Sequence, residues 1–127
     1  MSIQPFSQFI WVTFQRKGFH RYPGAPEEVK YLNLKHRHLF KFKVKIEVHH
    51  DDREIEFHMF LNKIESWYDN GSLELDYKSC EMMATDLAEK ISAEYGDPST
   101  GDITDKRQLM IEVSEDGECG AECYYSI

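Results

Sequence analysis

The sequence predicts an α+β domain in which four strands and two helices follow the order ββααββ. Apolar and polar residues alternate with a period of two near both ends of the chain, whereas the middle has the apolar spacing of helices. Alternation predicts an antiparallel, four-stranded sheet with two helices on one face. The 127 residues contain no linker or internal repeat, so we expect a single domain over residues 1–127.

Two strands are predicted in the first half of the chain. Aromatic and β-branched residues dominate Gln8 to Arg16, which we interpret as a strand leading toward His20. From His36 to about His50 the even positions are histidine or mostly apolar, and the odd positions are mostly charged. Residues 23–26 (PGAP) break the chain between the two strands, and residues 27–35 are expected to form a connecting loop.

The second half is predicted to hold the helices and two further strands. A first amphipathic helix begins at Phe57 and ends at the turn residues 69–71. Ser79 caps a second helix, which closes before Gly96, and Met82 and Met83 are assigned to its core side. Polar residues 97–107 are expected to form a loop. The remaining strands are Leu109 to Glu115 and Ala121 to Ile127, joined by a tight turn.

Composition and charge exclude several classes of protein. A net charge of −8 repels phosphate backbones and disfavours nucleic-acid binding. One local basic stripe is interpreted as a solvated strand face, with attraction of a small anionic ligand or the lining of an oligomer channel as the alternatives; it consists of Lys35, Arg37, Lys41, Lys43 and Lys45. No run of about twenty apolar residues and no secretory signal is found, so we expect a cytoplasmic protein without membrane contact. The three cysteines, expected to be buried thiols rather than a Cys119–Cys123 disulfide, fit a reducing compartment.

Three histidines form the main candidate site. His36 and His38 share one side of their strand because they are two residues apart. Pairing of that strand with the preceding one would bring His20 beside them. Three neutral imidazole nitrogens with an open fourth position suit catalytic zinc. The alternative is that the three histidines are incidental surface residues, since histidine is common there.

Five segments also carry a family resemblance: residues 19–23 (FHRYP), 36–40 (HRHLF), 55–57 (IEF), 79–84 (SCEMMA) and 111–115 (IEVSE), the last followed by Ala121 and Tyr124. In order and spacing they resemble the 6-pyruvoyl-tetrahydropterin synthase family, which includes the 6-carboxytetrahydropterin synthases of queuosine biosynthesis. The resemblance touches nearly the whole chain.

The resemblance implies a tunnelling fold, in which the sheets of several subunits join into an oligomeric barrel, as a homo-oligomeric trimer or hexamer with active sites at subunit interfaces. It implies zinc held by His20, His36 and His38. It also implies a lyase or synthase reaction on dihydroneopterin triphosphate or a related reduced pterin. Glu115 would accept hydrogen bonds from the amino-pyrimidine edge of that substrate. Glu118 and a purely acidic turn are the alternatives to Glu115 as anchor.

The proton-transfer residues depart from the family pattern. The family's catalytic cysteine precedes the HxH pair, where this chain has residues 31–35 (YLNLK), and its Leu-Asp-His motif corresponds to Leu75-Asp76-Tyr77. Candidates for the general base are Asp76 with Tyr77, a loop carboxylate such as Glu27 or Glu28, and a hydroxide bound to the zinc. A second hypothesis is a catalytically degenerate protein that binds a pterin, purine or nucleotide without turnover. A third is a purely structural role without ligand.

Overall fold

The computed structural model describes residues 3–68, 70–97 and 106–127. Within them the chain forms a short 3-10 helix at Glu27–Asn33. Its other elements are strands β1 (Gln8–His20), β2 (His36–Val48), β3 (Leu73–Asp76), β4 (Gln108–Glu115) and β5 (Cys119–Ser126), and helices α1 (Phe57–Glu65) and α2 (Cys80–Tyr95). The predicted α+β class is therefore confirmed. The predicted loop over residues 97–107 falls mostly on residues 98–105, which lie outside the described residues. Helix α1 ends at Glu65, a few residues before the turn at 69–71 where the sequence predicts its end; residue 69 of that turn also lies outside the described residues.

The sheet is mixed, and all five strands of the described residues belong to it, in the order β3-β1-β2-β4-β5. Neighbours β1–β2, β2–β4 and β4–β5 are antiparallel, whereas β3 runs parallel to β1. The expected four-stranded antiparallel sheet is corrected by this extra edge strand. Its four residues are too few for alternation to identify it, and pairing with the end of β1 gives it its structure.

Alternation on β2 creates the buried face of the sheet. Phe40, Phe42, Val44 and Ile46 are at most 2% exposed, and they face the same core as the buried residues of α1 and α2. The β1–β2 pairing runs from Gln8↔Val48 to His20↔His36. A slip of one residue would turn the whole buried face toward solvent, so the core fixes this register.

Gly18 allows the close approach of β1 to its neighbours. A Cβ atom at this position would lie 2.9 Å from the Phe40 ring and 2.9 Å from Leu75 Cδ1. Gly18 stands opposite His38, two pairs from the His20↔His36 pair. The absence of a side chain at Gly18 therefore lets Phe40 pack beneath the end of the hairpin that carries the histidines.

The two helices begin where side chains cap them. The Glu56 carboxylate accepts hydrogen bonds from the N–H groups of His58 and Met59 (2.9 and 3.1 Å), and the His58 bond is the main reason why the pKa of Glu56 is lowered. Ser79 Oγ accepts from the Met82 N–H (3.2 Å) at the start of α2, as the sequence predicts.

The structure corrects one residue of the second helix. Met83 is buried, but Met82 is 47% exposed and does not belong to the core. Successive helix residues point about 100° apart, so both methionines cannot face the same core. No helix in the described part of the chain is long and apolar enough to cross a membrane.

Candidate metal centre

The three predicted histidines meet at one end of the β1–β2 hairpin. The ring centroids of His20 and His36 are 4.6 Å apart, those of His36 and His38 4.9 Å, and those of His20 and His38 5.4 Å. Phe40 is fully buried, and its ring centroid lies 5.1 Å from that of His20 and 5.7 Å from that of His38. The buried Phe40 ring thus packs against two of the three histidine rings.

Glu115 joins the histidines from the neighbouring strand. The β2–β4 register places it opposite Phe40, so its carboxylate reaches the same end of the sheet. Glu115 Oε2 lies 2.9 Å from His20 Nε2 and 3.7 Å from His38 Nε2. One ligand atom from each of the four residues lies within 4.8 Å of the others. In tetrahedral coordination by nitrogen and oxygen, neighbouring ligand atoms are about 3.3 Å apart.

Each histidine ring is oriented by a partner outside the cluster. The Nδ1 atom of His20 contacts the Lys78 carbonyl oxygen at 2.9 Å, that of His36 the Leu34 carbonyl oxygen at 2.8 Å, and that of His38 the Asp116 carboxylate at 2.7 Å. These oxygens only accept hydrogen bonds, so each neutral ring carries its proton on Nδ1. Every ring then has a lone pair on Nε2. Such outer partners are typical of metal-binding histidines.

The Nε2 atoms themselves are buried without hydrogen bonds. This holds for His20, His36 and His38 alike, and the side chain of His20 is only 9% exposed. Although Glu115 Oε2 is near His20 Nε2, the two atoms do not meet the geometry of a hydrogen bond. Buried polar atoms without partners are rare in folded proteins and call for an explanation. A cation held between the four side chains would satisfy all three nitrogens, so the residues present fit a metal ion.

Asp116, the outer partner of His38, is held by the backbone of β2. Its Oδ1 accepts a hydrogen bond from the Leu39 N–H at 2.9 Å. This bond and, to a smaller extent, the one from His38 lower the pKa of Asp116. The sequence interpretation missed Asp116, although its position next to Glu115 in the turn was a usable signal. No sequence pattern could have identified the Lys78 carbonyl, because its contact with His20 depends on tertiary packing.

A cavity of about 840 Å³ opens beside the histidines. Its lining includes His20, His36 and Glu115 together with Tyr77 and Cys119. This volume lies in the range of small-molecule sites. A cavity of similar volume, about 860 Å³, lies along the exposed face of the sheet and contains none of the three histidines.

The predicted proton-transfer residues are placed differently from one another. Tyr77 is 55% exposed and lines the cavity. Asp76 is not among the lining residues; its carboxylate forms an ion pair with Arg21 at 3.1 Å. Glu27 and Glu28 are exposed on the 3-10 helix and do not line the cavity either. Of these four candidates, Tyr77 alone lines the cavity in the described part of the chain.

The cysteines are free thiols in different environments, not uniformly buried as expected. Cys80 is buried at the start of α2, whereas Cys119 is exposed and its Sγ lies 3.9 Å from Glu115 Oε1. Burial, followed by the charge of Glu115, raises the pKa of Cys80 to about 12. Cys80 therefore remains a thiol at neutral pH, whereas Cys119 lies on the cavity wall beside the carboxylate of Glu115.

Neither a scan against protein-family models nor a search of curated proteins found a match to this chain. Fold and geometry therefore define its class: an α+β protein with a cluster of three histidines and one glutamate that could hold a metal ion. Any more specific assignment depends on the chemistry of that cluster and of the cavity beside it.

Proposed function

We propose that this protein is a zinc-dependent lyase or synthase acting on a reduced pterin, of the 6-pyruvoyl- or 6-carboxy-tetrahydropterin synthase type. The observation that carries the proposal is the set of three buried Nε2 atoms without hydrogen bonds beside a cavity large enough for a small molecule. The family resemblance of the five segments supports the substrate class. Dihydroneopterin triphosphate is the first substrate to test.

Zinc is the metal we propose for the cluster. Imidazole nitrogens suit this ion, and three histidines that leave an open position are a common catalytic donor set. His20, His36 and His38 would hold it, each ring oriented through its Nδ1 proton. When bound, zinc would act as a Lewis acid that polarises the side-chain oxygens of the substrate and acidifies neighbouring C–H and O–H bonds.

Glu115 is proposed as the substrate anchor. A carboxylate can accept two parallel hydrogen bonds from an amino-pyrimidine edge, and Glu115 is one of the residues that line the cavity. Its Oε2 also lies within the metal cluster. We therefore propose that Glu115 would help to hold the metal in the substrate-free protein and would accept the hydrogen bonds of a bound pterin.

Proton transfer is proposed to involve Tyr77, with Asp76 and Glu28 as further candidates. Tyr77 lines the cavity of its own chain. The Asp76 side chain is 67% exposed, and Glu28 is also exposed, so both could contribute to a site shared between subunits. The proposed trimer or hexamer with a barrel of joined sheets is supported by β5, which is a sheet edge carrying Tyr124 at 73% exposure.

Metal content tests the first step of the proposal. We expect about one zinc per chain in the purified wild type by elemental analysis, and loss of that zinc in a His36→Ala, His38→Ala double variant. A His49→Ala, His50→Ala double variant is the matched control, because it removes two histidines from the turn after β2 that lie outside the four-residue cluster found among the described residues. A wild type that takes up no zinc, even when zinc is supplied, would contradict the proposed function.

Turnover tests the second step. The zinc-loaded protein is mixed with dihydroneopterin triphosphate, and phosphorus NMR measures the release of triphosphate from this substrate over time. The double variant at His36 and His38 should release no triphosphate, whereas the control variant should act as the wild type does.

A catalytically degenerate binding protein is the second candidate function. It is favoured by the absence of a thiol in residues 31–35 and by the position of Asp76 and Glu28 away from the cavity lining. In that case calorimetry would detect pterin binding by the zinc-loaded protein without any release of triphosphate. Turnover that is lost on Tyr77→Phe would favour the enzyme.

A further inference from the structure

We propose that Asp116 is a positioning residue of the metal centre, which fixes the tautomer of His38 so that its Nε2 lone pair faces the metal. This inference deepens the proposed metal-dependent function and rests on it. Asp116 does not belong to the four-residue cluster. It acts through His38, whose Nδ1 lies 2.7 Å from Asp116 Oδ2.

The Asp116 carboxylate is oriented independently of His38. Its backbone N–H donates to the Leu39 carbonyl oxygen at 2.8 Å, and its Oδ1 accepts from the Leu39 N–H at 2.9 Å. The residue has a φ of +59°, a left-handed conformation that aspartate and asparagine adopt more readily than most residues. Since three constraints from the backbone hold Asp116 in place, its second oxygen is presented to His38 as a fixed acceptor.

His38 differs from the other two histidines because the acceptor of its Nδ1 proton is a side chain. Nδ1 of His20 faces the Lys78 carbonyl and Nδ1 of His36 faces the Leu34 carbonyl, so both tautomers are set by the main chain. His38 is oriented by a side chain, which a single substitution can change. A carboxylate on Nδ1 also makes the imidazole a more basic ligand than a neutral acceptor does.

Two consecutive residues, Glu115 and Asp116, contact the histidine cluster at different atoms. Glu115 reaches the ligand atoms of the histidines, and Asp116 reaches the opposite nitrogen of one of them. The last residue of β4 is therefore a candidate ligand, and the first residue of the following turn orients another ligand.

Asp116→Asn tests the inference with minimal change of shape. Asparagine tolerates the left-handed conformation, and its Oδ1 can still accept from the Leu39 N–H. Its amide N–H₂ then faces His38 Nδ1, which must give up its proton and move it to Nε2, where it blocks the metal. If the amide rotates by 180°, its oxygen accepts from His38 Nδ1, but its N–H₂ group then faces the Leu39 N–H, and two donors meet there instead.

We expect the dissociation constant for Zn²⁺ to rise about 10- to 100-fold in Asp116→Asn, measured by competition with a chromophoric chelator. In a His38→Ala background the same substitution should have no further effect, because its target is gone. Glu118→Gln is the matched control, since it removes an exposed carboxylate of the same turn and should leave affinity unchanged. Equal affinities of wild type and Asp116→Asn would overturn the inference.

A second measurement works without metal. Long-range ¹H–¹⁵N NMR of the metal-free protein at about pH 8.5, about two units above the ordinary histidine pKa of about 6.5, should find the proton of His38 on Nδ1 in the wild type and on Nε2 in Asp116→Asn. The same tautomer in both proteins would also overturn the inference. A wild type that binds no zinc would contradict the proposed function, whereas the tautomer measurement would still decide the role of Asp116.

Discussion

His20 Nε2 and Glu115 Oε2 lie 2.9 Å apart and do not form a hydrogen bond. The Nδ1 proton of His20 is directed at the Lys78 carbonyl, so a neutral ring presents a lone pair to a carboxylate oxygen that also carries lone pairs. Two acceptors at this distance repel each other unless a proton or a cation lies between them. The pair therefore marks the point in the fold at which a positive charge is needed.

Glu115→Gln should separate metal binding from stability of the metal-free protein. The amide N–H₂ can donate to His20 Nε2, so the metal-free variant should be as stable as the wild type or more stable by about 1 kcal/mol. Its Tm should rise less on zinc addition, because a neutral amide is a weaker ligand than a carboxylate. Thermal unfolding with and without zinc measures both effects. An unchanged zinc-induced rise in Tm would exclude Glu115 as a ligand.

The cysteines should differ strongly in reactivity. Cys80 is 8% exposed with its pKa raised to about 12, so its thiolate fraction at pH 8 is only about 10⁻⁴. Cys119 is exposed and should be alkylated by iodoacetamide at least about 100-fold faster. Peptide mass spectrometry over time gives both rates, and urea-unfolded protein, in which all cysteines react, is the control. Comparable rates for the two cysteines in the native protein would refute the buried position of Cys80.

Glu54 should make stability depend on pH in the acid range. Burial raises the pKa of Glu54. Its hydrogen bond from the His49 N–H and its ion pair with Arg107 (2.8 Å) together lower the pKa by more than burial raises it, so the pKa lies below its ordinary value. A group with a lowered folded-state pKa stabilises the fold above its unfolded pKa of about 4.3, and this contribution is lost as pH falls through the folded pKa.

We therefore expect Glu54→Gln to cost about 1–2 kcal/mol at pH 7 and much less near pH 3, by urea unfolding. Glu74→Gln is the control, because its ion pair with Lys35 is 67% exposed on the glutamate side and should contribute under about 0.5 kcal/mol. Equal losses for the two variants at pH 7 would show that burial of the Glu54–Arg107 pair adds nothing.

Gly120→Ala should destabilise the hairpin of β4 and β5. A Cβ at Gly120 would lie 2.2 Å from the Val113 carbonyl oxygen and 2.6 Å from Ser114 Cα, and neither backbone atom can move without distorting β4. We expect a loss of about 2–3 kcal/mol in the free energy of unfolding. Gly71→Ala, where a Cβ would meet no atom within 4 Å, should change stability by under about 1 kcal/mol. Similar stabilities of the two variants in urea would contradict the close strand contact.

The local elements of this protein follow from its sequence. Strands β1 and β2 and both helices lie within a few residues of their predicted bounds, because side-chain periodicity and capping involve neighbours along the chain. The expected cluster of His20, His36 and His38 is confirmed as a group that could hold a metal ion, since two of them alternate on one strand and the hairpin supplies the third. The identity of the metal and the pterin substrate stay predictions.

Only the tertiary structure decided the remaining features. Strand β3 forms because it pairs with β1. The group that orients His20, the Lys78 carbonyl, is 58 residues away in sequence, and Asp116, which orients His38, is 78 residues away. Alternation predicts which side of its own strand a residue faces, but the order of strands and their register are set by packing of the common core. The histidines could therefore be identified from the sequence, whereas the groups that orient them depend on long-range contacts.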